Sequence, residues 1–118
     1  MKTTRAAFIY MAVLLFLISG TAFAQKSTKN EIIKIKTSAQ CGMCKDRIET
    51  ALAYEKGIVK SDLNVDTKIL TVTFKPLKIT PDKIRELVSK IGYDADQVPA
   101  DKVAYAKLPA CCKVPGKK

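Results

Sequence analysis

Two cysteines, Cys41 and Cys44, stand where the hydrophobic period of the chain changes from two residues to 3.6. Before them, Ile33, Lys34, Ile35, Lys36 and Thr37 alternate apolar with polar, the pattern of a strand with one buried face. After them, Ile48, Ala51 and Leu52 recur at helical spacing on the face that carries Cys44. The strand and the helix must bury their apolar faces against a common layer. The thiols are left at the junction, with Cys44 in the first helical turn, where partial positive charge favours thiolate. A thiolate pair so placed either binds a soft metal or does redox chemistry, and the pair alone does not decide between them.

The rest of the pattern predicts a small α+β unit. The first strand covers residues 31–37, and the helix runs from Cys44 to about Tyr54 or Glu55, with Gly57 as its stop. A second strand over residues 59–65 places Val59, Ser61, Leu63 and Val65 on one side. Asp66-Thr67-Lys68 turns the chain into a third strand over residues 69–74, with Leu70, Val72 and Phe74 pointing inward. Pro76 ends that strand. Thr80-Pro81-Asp82 starts a second helix as N-cap, first helical residue and dipole-matched acid. Its apolar face is Ile84, Leu87, Val88 and Ile91, and Gly92 ends it. Residues 93–98 are then available as a fourth strand, polar on one face through Asp94 and Asp96. This order predicts a ferredoxin-like βαββαβ sandwich, with two helices on one face of a four-stranded antiparallel sheet.

Not all of the 118 residues belong to that fold. Lys2 and Arg5 precede an apolar run over residues 6–18, and Ala22-Phe23-Ala24 follows. That is the layout of a secretory signal peptide over residues 1–24, cleaved near Ala24. The run is shorter than the roughly 20 residues that span a bilayer. The expected division is signal peptide 1–24, polar lead 25–30, the α+β domain 31–98 and a C-terminal tail 99–118, located in the periplasm or secreted. One small domain has room for one core. The formal charge of +10 suits acidic partners, although export and the lack of an aromatic-interleaved basic motif exclude nucleic acid. With no histidine in the chain, imidazole metal sites and the usual general base are absent, and sulfur is the obvious ligand. Outside the cytoplasm, paired thiols oxidise unless a metal or a reductant holds them.

Residues 31–98 resemble the heavy-metal-associated domain, the module of copper chaperones, copper-transporting ATPases and the periplasmic mercury-binding protein. The resemblance rests on Cys41-x-x-Cys44 with Arg47-Ile48-Glu49 and Leu52 after it, then Gly57-Ile58-Val59, the alternating third strand and Ile91-Gly92-Tyr93. It implies that Cys41 and Cys44 bind Cu(I), or Hg(II), in nearly linear coordination. It also implies a non-enzymatic carrier whose partners are the metal ion and a membrane metal transporter or P-type ATPase metal-binding domain. Tyr93 would shield the site; an ordinary core-edge tyrosine is the other reading. Two departures stand out. The family's methionine two residues before the first cysteine is replaced by Ala39, with Met43 between the cysteines instead. The chain also continues past the domain to Cys111 and Cys112.

The tail is long enough to return to the thiol loop. A short helix over residues 100–107, with Val103 and Tyr105 or Leu108 packing down, adds roughly 12 Å. About five extended residues add roughly 17 Å, against a seven-residue strand of about 23 Å. Cys111 and Cys112 then either join Cys41 and Cys44, widening the choice to Zn(II) or a Cu(I)–thiolate cluster, or form disulfides or an independent thiol pair. The leading functional reading is an exported protein that captures or transfers Cu(I) or Hg(II), with Cu(I) ahead. The alternative is a periplasmic thiol–disulfide oxidoreductase using the same pair.

Overall fold

The computed structural model describes residues 29–117; the expected signal peptide and most of the polar lead lie outside them. The elements are β1 (Glu31–Lys36), α1 (Gly42–Ala53), β2 (Ile58–Asn64), β3 (Ile69–Phe74), α2 (Pro81–Ile91) and α3 (Lys102–Ala106). A 3-10 turn, Ala110–Cys112, follows. β3 lies between β1 and β2 and is antiparallel to both. As the central strand it has the cleanest alternation, and Leu70, Val72 and Phe74 are all fully buried. Ile35 of β1 and Leu63 of β2 extend this inner face. Cys44, Ile48 and Leu52 of α1 and Ile84 and Val88 of α2 join the same core.

The chemistry of the helix ends follows the sequence. The Lys83 N–H donates to Thr80 Oγ1 at 3.2 Å, with Pro81 beginning α2. Gly92 closes α2 in the left-handed region, at φ 110°. The underside of α1 is tied to the edge strand by side chains. Glu49 Oε1 accepts from the Leu63 N–H at 2.8 Å, and Lys45 Nζ donates to Asp62 at 2.9 Å. A helix side chain thus satisfies a backbone donor that the sheet leaves unpaired.

Three expectations are corrected. The fourth strand is not formed among the described residues. In its place Ala95 and Val98 exchange both backbone hydrogen bonds at 2.9 Å, closing a tight turn on Asp96 and Gln97, with Asp96 at φ 51°. Ala95 makes a single bridge to Thr37. The carboxylate of Asp96, not a continuing ladder, accepts the Lys36 N–H at 2.8 Å. The polarity of this segment therefore goes into side-chain bonds that stop pairing after one step. Second, Val59 points outward and is exposed, because the register of β2 shifts between Ile58 and Lys60. The extra residue of that bulge turns Val59 off the inner face. Third, Val103 is exposed, while Tyr105 and Leu108 are the tail residues that pack down.

The tail returns across the end of α2. Asp101 N–H donates to Ser89 O at 2.9 Å, and Ser89 Oγ donates to Pro99 O at 2.6 Å. A Cβ on Gly92 would lie 3.0 Å from the Ala104 carbonyl carbon and 3.1 Å from Tyr105 N. Gly92 thus supplies both the left-handed stop and a flat seat for the α3 backbone. Gly92→Ala is expected to cost about 1–3 kcal/mol, through the positive φ and the displaced tail. Urea denaturation followed by tyrosine fluorescence measures it, and an unchanged midpoint would count against this seat.

Candidate metal centre

The site begins with the loop between β1 and α1. Thr37 Oγ1 donates to Lys68 O at 3.0 Å and accepts from the Ala39 N–H at 3.3 Å. Ser38 Oγ accepts from the Asp94 N–H at 2.9 Å. These bonds fix the approach to Cys41, which occupies the N-cap of α1 in an extended conformation. Cys44, one turn on, lies in the buried stripe of α1 with Ile48 and Leu52. One thiol is therefore half-exposed at the helix start and the other faces the core, with the sulfurs 3.5 Å apart. Ala39, at the position where the family's methionine stands, is fully buried.

The tail brings the second pair to the same place. Cys112 Sγ lies 4.0 Å from Cys41 Sγ, and Cys111 Sγ lies 4.0 Å from Cys112 Sγ. The sulfurs of Cys41, Cys111 and Cys112 all fall within 4.8 Å of one another. Cys111 is exposed, and its thiol donates to Met43 Sδ at 3.9 Å, while Cys112 is buried. No disulfide joins any of the four cysteines. Tyr93 is fully buried, and its hydroxyl has no hydrogen-bond partner. The thiols of Cys112 and Cys44 are the polar groups that act on it.

These surroundings split the thiols electrostatically. The backbone N–H of Cys44 faces the Cys41 sulfur, too loosely for a capping bond, and with the Cys44 thiol it lowers the Cys41 pKa to about 7. Burial pushes Cys112 up to about 12, with the neighbouring Cys44 adding to the rise. Burial likewise drives the Tyr93 hydroxyl far above its ordinary range, so it remains a neutral donor. Near neutral pH, Cys41 is the nucleophilic entry point, and Cys112 sheds its proton only when something positive replaces it.

Comparison with known proteins places this geometry in a family. The family model of the heavy-metal-associated domain matches residues 37–94. The copper chaperone CopZ of Staphylococcus epidermidis is 30% identical over 64 residues, covering 54% of this chain and 93% of that protein. The chain belongs to the heavy-metal-associated domain family. The N-terminal domain of a potential copper-translocating P-type ATPase from Bacillus subtilis, solved in the Cu(I)-loaded state, is 25% identical. It superposes with a TM-score of 0.55 over 58% of this chain and 86% of that one. Oxidised MerP from Ralstonia metallidurans CH34 has the same fold, at 20% identity and a TM-score of 0.55 over 58% of this chain and 96% of its own. The family match stops at residue 94, so α3 and both tail cysteines lie beyond the heavy-metal-associated domain proper.

Sequence reasoning did not find the parts played by Asp94 and Asp96. Asp94 accepts from the Ala100 N–H at 2.8 Å and from Lys117 Nζ at 2.6 Å, which holds the tail down. Their regular spacing across a presumed strand disguised them; only their acidity beside a basic tail hinted at the role. Alkylation followed by peptide mass mapping tests the thiol split. At pH 7, Cys41 and Cys111 should label before Cys44 and Cys112. Cys41 labelling should fall off as the pH drops below about 7, where its thiolate is protonated. Equal labelling of all four in the folded protein would contradict the burial described here.

Proposed function

We propose that this protein captures Cu(I) outside the cytoplasm through Cys41 and Cys44 and passes it on by thiolate exchange. The observation that carries the reading is the sulfur pair itself, 3.5 Å apart across the first turn of α1, with one thiol half-exposed and one buried. Two thiolates in a chain without histidine suit soft, low-coordinate ions. The half-exposed Cys41 gives an incoming ligand access to the ion, while Cys44 keeps it tethered from the core side. That asymmetry supports hand-over in steps, one sulfur at a time. The copper chaperone and the copper-translocating ATPase domain among the relatives support both the ion and the class of partner, a metal-transporting P-type ATPase. Hg(II) has the same ligand preference and would compete for the pair. The signal-peptide pattern over residues 1–24 supports an extracytoplasmic location. The lysine-rich surface, part of a net charge of +10, offers a dock for an acidic partner domain.

The reading is tested by titrating the reduced protein with Cu(I) against a competing chelator. Cys41→Ser and Cys44→Ser should each weaken binding at least tenfold, a loss of about 1.4 kcal/mol or more. Wild-type affinity in both variants would overturn it.

A further inference from the structure

The four cysteines form one constellation, and its dimensions differ from those of a simple two-sulfur carrier. With the metal–sulfur bond of roughly 2.3 Å typical of a d10 thiolate site, two sulfurs bound linearly are about 4.6 Å apart. In a trigonal plane the separation is about 4.0 Å, and in a tetrahedron about 3.8 Å. Cys41 and Cys44, at 3.5 Å, must open by about an ångström to hold an ion between them in a line. Cys41 to Cys112 and Cys112 to Cys111, both at 4.0 Å, already have the trigonal spacing. The third edge of that triangle is within 4.8 Å.

From this we infer that Cys111 and Cys112 are metal ligands, and that an ion captured at the Cys41–Cys44 loop is held by three or more thiolates once the tail is seated. The site would be built by Cys41, Cys111 and Cys112, with Cys44 as a fourth sulfur on the core side. This rests on the reading of Cys41 and Cys44 as the metal-binding pair and adds ligands that the family match, ending at residue 94, does not contain.

A second observation points the same way. Tyr93 keeps a hydroxyl fully buried without a hydrogen bond, against the sulfurs of Cys44 and Cys112. A buried donor left unpaired is costly and rare in native structures. A thiolate is a far better acceptor than a thiol, so a loaded site supplies the partner that the empty one lacks.

The tail is also held as a positioned element. Gly92 seats α3, Tyr105 Oη accepts the Val114 N–H at 3.0 Å, and Lys117 bonds both carboxylate oxygens of Asp94 at 2.6 and 2.7 Å. These contacts fall on both sides of Cys111 and Cys112. Loops that merely run past a site need no such anchoring on either flank.

The test is X-ray absorption at the copper edge on the reduced, Cu(I)-loaded full-length chain, kept monomeric as checked by size exclusion, together with chelator competition. The variants are Cys111→Ser, whose side chain is exposed, and Cys112→Ala, which keeps the buried site apolar. Thermal melts of the metal-free proteins confirm that both fold. Wild type should show three or more sulfur neighbours, and the double variant two, with affinity at least tenfold lower. Two sulfur neighbours in wild type, or unchanged affinity in the folded double variant, overturns the inference while leaving the Cys41–Cys44 reading intact. Wild-type binding by a chain carrying Cys41→Ser and Cys44→Ser overturns both.

Discussion

The registration of α1 on the sheet is the constraint from which the rest of the molecule follows. Cys44, Ile48 and Leu52 form a single buried stripe, so the same packing that closes the core also sets the depth of a thiol. Cys41 is placed by the same packing, since it occupies the N-cap position of the helix whose first turn contains Cys44. Rotating the helix by one position would expose Cys44 and bury a charged neighbour. The thiol loop therefore needs no scaffold of its own. Core packing supplies the rigidity, and the exposed side of the loop supplies access.

The features visible in the sequence were the local ones. The alternation of Leu70, Val72 and Phe74 predicted a central strand because each position reports its own burial. The Thr80 cap and the Gly92 stop were legible because capping is decided within four residues. Residues whose role depends on a distant partner were not legible. Val59 alternates correctly but is displaced by a bulge that only the pairing with β3 reveals. Asp96 looked like the polar face of a strand, yet its carboxylate ends the pairing by taking the Lys36 N–H and bonding Arg85 at 2.8 Å. Although its burial raises the pKa, the bond from Arg85 and the Lys36 N–H outweigh it and hold the carboxyl below its usual range.

The candidate site was legible to a similar degree. Spacing marked Cys41 and Cys44 as a thiol pair fit for a soft metal or for redox chemistry, and the resemblance of residues 31–98 to the heavy-metal-associated domain implied the metal. For Cys111 and Cys112, chain length could only show that a return was possible. What positions them is a set of contacts with no sequence signature: a flat glycine under α3, a serine hydroxyl on a proline carbonyl, and an aspartate collecting both a backbone amide and a lysine. Ala39, two residues before Cys41, is fully buried and belongs to the same core cluster as Cys112 and Leu108.

The outermost clasp of the tail is an ion pair at the surface. Asp94 and Lys117 each keep about a third of the side chain in water, at 34%. Such pairs weaken as dissolved salt shortens the Debye length, from about 30 Å at 0.01 M to about 8 Å at 0.15 M. The buried contacts of Tyr105 and Leu108 feel no comparable screening. The far end of the described tail is therefore coupled, through this pair, to the salinity of the surrounding medium. The ionic strength of the medium is thus carried directly into how tightly this chain closes over its thiols.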